Sequence, residues 1–531
     1  MRNIKILDCT LRDGGFVNDW NFGKGSIKSI IGRLDKAGVD IVETGFLDSR
    51  RKYDPDRSIQ PDTGSFKAIL ENTDVKHAMM IAMIDFGTCG IEAIEQQGAS
   101  CISGIRVIFK KKDCEAALKF CALLKEKGYK VFVNPVSTTG YSDDEMAGLL
   151  DEVNKLEPYG ISIVDTYGLM HKKELLHYFR LMDSRLKPAI NIGYHSHNNF
   201  QLSYANCIEL LEIQSERGLI LDGSLYGMGK GAGNANTELI AMHLNRYFGA
   251  HYDVNQLLEA IDVDIMKEYA KKYWGYSLMH FIAASNDCHP DFVKTLIEKK
   301  TLSVRSINEI LQKLEHKTSL TFNKDLIEKM YEEYQNVEVD DTGGYIRLAK
   351  EFGDLPILII APGNSIVKHK EEIDKYIAGH KPLVISINFV TDMYKTDYVF
   401  FGNAKRYSQF YDEIYRTGAD AKVICTSNVS ESNKSIDFIF NFNSLVSREA
   451  PIRDNPMLML LKILVKMKVK SAVLAGFDGY SGRSTDNYFN EYVKFLYCDD
   501  DVVLRNELIK NKVKEFKNEI DLGFLTPTAY L

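Results

Sequence analysis

The sequence predicts an α/β protein: a TIM (β/α)8 barrel, then a helical extension, then a second, Rossmann-like α/β domain. Three observations predict this. Short apolar segments alternate with helix-like segments through the first half of the chain, a second series of apolar strand-like segments begins near residue 355, and 531 residues exceed the length of one ordinary domain. We place the barrel at 1–290, the helical extension or linker at 291–345 and the Rossmann-like domain at 346–531.

The first half contains eight apolar, β-branched segments separated by helix-like stretches. They are "IKILD", "VDIVETGF", "AMMIAMID", "GIRVIFK", "KVFVNPV", "GISIVDT", "AINIGYHSH" and "LILDGSLYG". Such alternation is typical of a parallel sheet covered on both faces, and eight units in about 250 residues fit a barrel. A doubly wound sheet is the alternative. It would be favoured by a glycine-rich phosphate loop after the first strand, and "CTLRDGG" is not one.

Composition limits the class of partner and the compartment. Net charge is -7 and the pI is about 6.0, which argues against nucleic acid or an anionic membrane as the main partner. The nine cysteines form no CxxC pair, which favours a reducing compartment. The sequence starts without an apolar signal-peptide core, and no apolar run approaches the roughly 18 residues of a membrane span. We therefore predict a cytoplasmic protein.

Polar residues follow most of the predicted barrel strands. In a barrel the carboxyl ends of the strands surround one mouth, so these side chains should converge there. They include Arg12, Asp13, Glu43, Asp85, Asn134, Asp165, Thr166, His195, His197, Asp222 and Ser224. We predict that the charges of the opening segment "LDCTLRDGGF", Asp8 included, face this mouth, because buried charge is costly unless it is paired or bound to metal.

The strongest single signal is the His-x-His pair on the seventh strand. Residues i and i+2 of a strand point to the same face, so His195 and His197 can offer two imidazoles to one ion. Asp13 adds a carboxylate from across the mouth. Two nitrogens and a carboxylate with open positions suit a divalent metal such as Mn, Fe, Co or Zn. The alternative is two histidines hydrogen-bonded in a polar rim.

The segment "LYGMGKGAGNANTE" after the eighth strand contains glycines 227, 229, 231 and 233. It matches neither GxxxxGK[ST] nor GxGxxG, so it is a weak candidate for a nucleotide loop. One interpretation is a flexible loop. The other is a backbone that folds closely over the site, with Asn234 reaching toward the metal.

Together, "DCTLRDGG", "GYHSHNN" and "DGSLYGMGKGAGNANTE" resemble the metal-dependent aldolase and lyase superfamily over about residues 1–290, and within it most resemble 4-hydroxy-2-oxovalerate aldolase. The resemblance implies that Asp13, His195 and His197 bind the metal, with Asn234 as a fourth ligand of the lyase branch. It also implies that Arg12 stabilises a pyruvate enolate. Mn²⁺ is the expected cofactor, with Mg, Co or Zn as alternatives.

Two further positions are predicted to bind the substrate. Thr166 in "VDTYG" matches a small hydroxyl residue near the substrate carboxylate of the family. Asn134 ends the fifth strand and should reach the same mouth.

One departure from the family concerns the general base. The aldolase branch has a histidine three residues after the metal-binding aspartate, and here that residue is Phe16. A phenylalanine cannot carry a proton, so another group must do so or the reaction differs. Glu43 is predicted as a catalytic residue on this ground. The other candidates are Tyr141, Tyr276, His280 and His289, and the base stays unassigned.

The second domain has strand-like segments that end in polar or glycine residues. "APGNSI" and "VISIN" faintly resemble sialyltransferase-type glycosyltransferase domains. We predict a ligand site for a nucleotide or nucleotide sugar at Gly363, Asn364, Ser365 and Asn388, because backbone amides at a helix N-terminus suit an anion. A structural or regulatory domain is the alternative.

The predicted function is a metal-dependent carbon–carbon lyase. It would cleave or form a 4-hydroxy-2-oxo acid, giving pyruvate and an aldehyde, with a sugar-derived aldehyde as one option. The alternatives are a sugar- or nucleotide-binding, glycosyltransferase-type protein whose barrel is degenerate, and a Claisen-type acyl-CoA synthase. A homo-oligomer is expected, with no nucleic acid or membrane partner.

Overall fold

Eight parallel strands close into a barrel in the computed structural model of the chain. They are β1 Ile4–Asp8, β2 Ile41–Leu47, β3 Met79–Asp85, β4 Gly104–Phe109, β5 Lys130–Pro135, β6 Gly160–Asp165, β7 Asn191–Ser196 and β8 Leu219–Gly223. β1 pairs with both β2 and β8, with Leu7 opposite Ile41 and Ile6 opposite Leu221, which closes the ring. The two-residue strand Ile59–Gln60 adds to the end of β2. The predicted barrel is confirmed.

The structure describes residues 3–71, 73–315, 322–416, 421–429, 436–481, 487–489 and 499–531. It divides into a first unit, residues 1–290, and a second unit, residues 291–531. The helices between residues 291 and 345 belong to the second unit.

Helices cover the outside of the barrel after every strand but one. They are Lys24–Lys36, Thr63–Leu70, Cys114–Glu126, Asp143–Leu156, Lys172–Arg185, Ser203–Leu211 and Thr237–Phe248. The first unit ends with Val254–Ala260, Met266–Lys271 and Leu278–Ser285. After β3 the described chain forms only the short 3-10 turns Ile91–Ala93 and Gln97–Ala99. Gly87, Gly90 and Gly98 lie in this connection, and glycine disfavours helix.

The interior of the barrel changes from apolar to charged along its axis. An apolar cluster fills one part: Leu7, Cys9, Ile41, Ile81, Phe132 and Ile220. Toward the carboxyl ends of the strands the interior holds Glu43, Arg106 and Asp222, each no more than 2% exposed. Buried charge of this kind is tolerated only where it is paired, so this end of the barrel is where a polar site can exist.

Asp8 does not face the mouth, and that part of the prediction is wrong. Neighbouring strand residues point to opposite faces, so Asp8 points outward while Leu7 and Cys9 lie in the interior cluster. Its carboxylate accepts hydrogen bonds from the Thr237 hydroxyl (2.6 Å) and the Thr10 backbone N–H (3.0 Å). Burial raises the pKa of Asp8 to about 6, against the opposing effect of these bonds. Asp8 therefore ties β1 to the helix that follows β8.

The second unit is built on a seven-stranded parallel sheet. Its strands are β9 Ile357–Ile360, β10 Leu383–Ile387, β11 Tyr398–Phe401, β12 Lys422–Thr426, β13 Phe438–Phe440, β14 Ser471–Ala475 and β15 Asp521–Phe524. The strand order is β13-β12-β11-β10-β9-β14-β15. The order reverses direction between β9 and β14, which is the point where open α/β sheets bind ligands. The predicted second α/β domain is confirmed.

Helices precede the first strand of this sheet and connect its strands. The helices before it are Pro290–Glu298, Val304–Leu311, Lys324–Gln335 and Thr342–Phe352. Those within it are Ser365–Lys368, Lys370–His380, Ala404–Arg416, Phe442–Leu445, Pro456–Lys466 and Asp499–Phe516. Each face of β9 to β11 packs into its own apolar cluster. Ile357 and Ile359 belong to one cluster, and Leu358 and Ile360 belong to the other. Both faces are thus covered, which explains why the strands read as continuous apolar runs.

Candidate metal and active site

Asp13, His195 and His197 come together at the carboxyl end of the barrel. His195 lies at the end of β7 and His197 just beyond it, with their ring centroids 5.4 Å apart. One possible ligand atom from each histidine and from Asp13 all lie within 4.8 Å of one another, and all three residues are buried. The spacing of the two histidines thus places both imidazoles beside the Asp13 carboxylate.

The two histidines are held by groups behind them. The Nδ1 atom of His195 lies 2.9 Å from Asp222 Oδ2, and that of His197 lies 3.3 Å from the carbonyl oxygen of Gly233. Metal-binding histidines commonly donate one ring N–H to a carboxylate or a backbone carbonyl, which fixes the tautomer and leaves the other nitrogen for the ion. The contact of His195 with Asp222 fits this pattern, and His197 Nδ1 also lies 3.8 Å from Asp13 Oδ2.

The loop after β8 closes over Asp13. Asn234 Nδ2 donates to Asp13 Oδ2 (2.8 Å), and the backbone N–H of Lys230 donates to the same oxygen (3.1 Å). A Cβ on Gly229 would lie 2.3 Å from Asn234 Nδ2 and 2.5 Å from Asp13 Oδ2, so only glycine allows this approach. Asn234 Oδ1 is buried and has no hydrogen-bond partner among the described residues, which suits a metal ligand.

Behind the candidate ligands, charged residues form a continuous network. Arg12 Nε donates to Glu43 Oε2 (2.7 Å), Arg106 Nη1 lies 3.5 Å from the same oxygen, and Arg106 also pairs with Asp222. Arg12 Nη1 pairs with Asp13. Two guanidinium groups against three carboxylates leave one negative charge in a buried site, which a divalent cation and a monocarboxylate substrate would offset.

The environment sets the protonation of two candidate ligands. Burial raises the pKa of Asp13, but the charges of Arg12 and the two histidines outweigh this effect and hold the pKa well below its usual range. Burial lowers the pKa of His197 to about 4. At neutral pH the carboxylate is therefore ionised and the His197 imidazole is neutral, and these are the forms that bind metal.

Glu43 sits where β2 and β3 change register. The pairing shifts between Glu43 and Phe46, and Gly45 has φ +147° with the carbonyl oxygen of Ser58 only 1.6 Å from where a Cβ would be. Bulges of this kind redirect side chains near active sites. Because Glu43 is buried and bonded to Arg12, its position favours a role in orienting that guanidinium over a role as general base.

The predicted substrate residues lie at the same end of the barrel. Asn134 is the second-last residue of β5, and neither polar atom of its buried side chain has a partner among the described residues. Thr166 follows β6, and its hydroxyl oxygen accepts a hydrogen bond from the backbone N–H of Ser137 (2.9 Å). Both positions stay predictions, and unpaired buried amide atoms at Asn134 favour contact with a ligand.

Phe16 lies at the edge of the mouth in an aromatic group. Its ring centroid is 4.9 Å from that of Trp20 and 6.2 Å from that of Phe46, and 41% of Phe16 is exposed. The Lys230 ammonium lies 5.5 Å from the Phe16 ring centroid. The family's base position is thus occupied by an apolar ring with a cation above it.

None of the other candidate bases lies on a strand of the barrel. Tyr141 lines a groove formed by residues of the helices Cys114–Glu126 and Asp143–Leu156, outside the barrel. Tyr276 is 60% exposed, and His280 Nδ1 lies 2.9 Å from the Ser277 hydroxyl at the start of its own helix. His289 lies near the end of the first unit and stays a prediction. The base remains unassigned.

Sequence reasoning missed Arg106 and Lys230. The signal for Arg106 was an arginine inside the apolar strand "GIRVIF", a place where charge requires a buried partner. Lys230 was read only as part of a glycine-rich loop, and its contact with Phe16 depends on how that loop folds.

The four predicted ligand residues of the second unit separate into two groups. Gly363 and Asn388 line a cavity at the carboxyl ends of the strands, whereas Asn364 and Ser365 do not line it. The Ser365 backbone N–H donates to Asp478 Oδ2 (2.8 Å), and its hydroxyl also bonds to Asp478. The helix that begins there, Ser365–Lys368, has one turn. The anion predicted at this helix N-terminus is therefore replaced by the protein's own carboxylate.

The first unit resembles known proteins. Residues 3–263 match the HMGL-like family. The oxaloacetate decarboxylase of Mycobacterium tuberculosis is 25% identical over 272 residues, which are 50% of this chain and 78% of that protein. The 4-hydroxy-2-oxovalerate aldolase of Chloroflexus aurantiacus is 27% identical over 273 residues, which are 49% of this chain and 75% of that protein. The N-terminal domain of a protein from Bacteroides vulgatus described as an aldolase is 22% identical, with a TM-score of 0.48. The match covers 57% of this chain and 99% of that structure.

Residues 3–263 are an HMGL-like domain, a metal-dependent aldolase and lyase fold. The predicted resemblance and the predicted enzyme class, carbon–carbon lyase, are confirmed. Among the described residues, no helix is both long and apolar enough to span a membrane.

Proposed function

We propose that the first unit cleaves or forms the C3–C4 bond of a short 2-oxo acid through a pyruvate enolate. The observation that carries this proposal is an unpaired N–H group of the Arg12 guanidinium. Its Nε and Nη1 are used by Glu43 and Asp13, while Nη2 is buried with no hydrogen-bond partner among the described residues. An unpaired guanidinium N–H beside a metal-ligand set is suited to an oxygen on which negative charge develops.

Asp13, His195, His197 and Asn234 would hold the metal. When bound, the ion would supply Lewis acidity toward the oxygens of a 2-oxo acid. Arg12 Nη2 donates to the oxygen that becomes the enolate. Glu43 keeps the Arg12 fork in place, and Asn134 is positioned to donate to the substrate carboxylate.

For a 4-hydroxy-2-oxo acid, the C3–C4 bond breaks as the 4-hydroxyl loses its proton. The electron pair of that bond moves to C3 and onto the C2 oxygen, and an aldehyde leaves. Protonation of C3 then gives pyruvate. This reaction requires a general base at the 4-hydroxyl.

Decarboxylation of a 2-oxo-1,4-dicarboxylic acid, in which C4 is itself a carboxylate, is the second candidate, and Phe16 favours it. Breaking the C3–C4 bond of such an acid releases CO₂ and leaves the same enolate, but no hydroxyl proton has to be removed. An apolar ring at the base position is compatible with this reaction. The Lys230 ammonium beside Phe16 would also suit a second carboxylate.

The test is pyruvate release by the full chain after chelation and reloading with Mn²⁺, Mg²⁺, Co²⁺ or Zn²⁺. Oxaloacetate and several 4-hydroxy-2-oxo acids are compared, each corrected for metal-catalysed background. We expect turnover that depends on metal and is lost in Asp13→Asn. His177→Ala is the matched control, because His177 is an exposed histidine paired with Asp143 on the outer helices. Equal rates for wild type and Asp13→Asn would contradict the proposal.

A further inference from the structure

A cavity opens at the carboxyl ends of the central strands of the second unit. Gly363 follows β9, Asn388 follows β10, Asn403 follows β11 and Gly476 follows β14, and all four line it. The Gly363 N–H donates to the Gly476 carbonyl (3.0 Å), which joins the two loops on either side of the strand-order reversal. The cavity therefore occupies the crevice where open α/β sheets bind ligands.

Two arginines bring positive charge to the cavity wall. Arg406 and Arg505 both line the cavity, and Arg406 is only 3% exposed. The helices Ala404–Arg416 and Pro456–Lys466 begin at this wall, next to the lining residues Asn403 and Asn455. Two guanidinium groups suit a phosphate group.

Amide side chains with fixed orientation line the cavity as well. Asn388 Oδ1 accepts the Gly402 N–H (3.1 Å), Asn403 Oδ1 accepts the Arg406 N–H (2.9 Å), and Asn455 Oδ1 accepts the Met457 N–H (3.1 Å). Each bond holds its side chain in one orientation at the cavity wall. A carboxamide carries two N–H donors beside that oxygen, so these residues present donors to a hydroxylated ligand.

Two carboxylates also line the cavity. Asp454 and Asp478 both line the cavity, and Asp478 is bonded to Ser365 as described above. The formal charges of the two arginines and two aspartates cancel, so the cavity does not suit a polyanion. A ligand with one phosphate and several hydroxyls fits better, because carboxylates accept from hydroxyls while the arginines bind the phosphate.

We propose that the second unit binds a sugar phosphate, either free or as the ribose-phosphate part of a nucleotide. Arg406 and Arg505 bind the phosphate. Asn388, Asn403 and Asp454 hold the sugar hydroxyls. This site is independent of the activity proposed for the barrel.

Isothermal titration of the full-length chain tests the proposal. Both tryptophans, Trp20 and Trp274, lie in the first unit, so heat is a better signal than intrinsic fluorescence. One arm uses ribose 5-phosphate and glucose 1-phosphate, and the other uses AMP, CMP, GMP and UMP. Ribose and inorganic phosphate are the reference probes. We expect at least one phosphorylated sugar in either arm to bind more tightly than both reference probes, and the arm that binds identifies the source of the ligand.

Two variants locate the site. Arg406→Gln and Arg505→Gln each remove a charge while keeping most of the side-chain length, and each should raise the Kd by about tenfold or more. Arg347→Gln is the matched control, because Arg347 is an exposed arginine of the same unit that donates to the Asp437 carbonyl outside the cavity lining. Thermal melting of all three variants shows whether they fold.

Hydrogen exchange on the wild type gives a second measurement that needs no variant. The ligand should protect the peptides that contain residues 361–363 and 476–480. The proposal is overturned if no probe binds more tightly than ribose and phosphate, if both folded glutamine variants bind like wild type, or if protection appears only in the barrel.

Discussion

The barrel mouth and the cavity of the second unit both lie at the carboxyl ends of parallel strands, but they are built from different parts of the chain. In the mouth, Glu43, Arg106, His195 and Asp222 are strand residues. In the cavity, the charged lining residues Arg406 and Arg505 are helix residues. A closed barrel points every second strand residue inward, whereas an open sheet is covered on both faces and leaves only the crevice beyond its strands.

The two sites also differ in how their polar groups are held. The mouth is one chain of ion pairs from Arg12 through Glu43 and Arg106 to Asp222, which also contacts His195, so each group depends on its neighbours. In the cavity, Asn388, Asn403 and Asn455 are each fixed by a separate backbone N–H. Substitutions in the mouth should therefore have larger and less local effects.

The largest expected effect is the loss of the metal. Replacing His195 and His197 by alanine removes two ligands of the proposed site, so we expect metal content near zero and no metal-dependent turnover. Elemental analysis of the purified protein measures this directly. If the two units act independently, sugar-phosphate binding by the same variant should match wild type. Metal content equal to wild type would refute the ligand assignment.

Arg12→Lys should have the second-largest effect on turnover. Lysine keeps the charge, but its single nitrogen cannot serve Glu43, Asp13 and a substrate oxygen together. Because the lost contact forms mainly in the transition state, we expect kcat to fall by roughly 10²-fold or more while KM changes little.

Arg50→Lys is the control for the Arg12 variant, since Arg50 is an exposed arginine paired with Asp48. Steady-state kinetics on the metal-loaded proteins measures both. A raised KM with unchanged kcat would mean that Arg12 binds the ground state instead.

Asp222→Asn should have a smaller effect. The variant keeps the shape of the side chain but weakens its hold on His195 Nδ1, and losses of this kind typically lower metal affinity about 10–100-fold. Competition with a chelating indicator measures the affinity. Asp62→Asn is the control, because Asp62 caps the helix Thr63–Leu70 and asparagine caps equally well. Unchanged affinity in Asp222→Asn would show that Asp222 serves only Arg106.

Much of the barrel could be predicted from the sequence because its signals are local. Apolar strands of five to seven residues, the i, i+2 spacing of His195 and His197, and the position of Asp13 directly after β1 all lie within short segments. What could not be predicted depends on packing between distant segments. The Asp8 carboxylate accepts a hydrogen bond from Thr237, which is distant in sequence, and the exposed Lys230 reaches Phe16 only because the loop after β8 folds back.

The second unit shows the limit of the same reasoning. Five of its seven described strands were predicted because they are apolar on both faces, whereas Phe438–Phe440 and Asp521–Phe524 were not predicted. Ser365 was expected to bind an anion, but Asp478, more than 100 residues later, occupies its N–H and hydroxyl. Arg406 and Arg505 lie 99 residues apart in the sequence, and only the folded chain brings both to one cavity. No short segment of sequence carries that signal.

Phe16→His should have the smallest effect, and it distinguishes the two candidate reactions. Phe16 is 41% exposed, so the exchange should change the free energy of unfolding by only about 0.5 kcal/mol or less. An imidazole there could accept the proton of a 4-hydroxyl. We expect aldol cleavage to rise by about tenfold, below the ~10²–10⁴-fold of a fully positioned base. Decarboxylation of oxaloacetate, which needs no such base, should stay unchanged. Phe16→Leu removes the ring without adding a base and is the control for the lost contact with Lys230. Equal changes in both reactions would mean that residue 16 shapes the mouth without defining the chemistry.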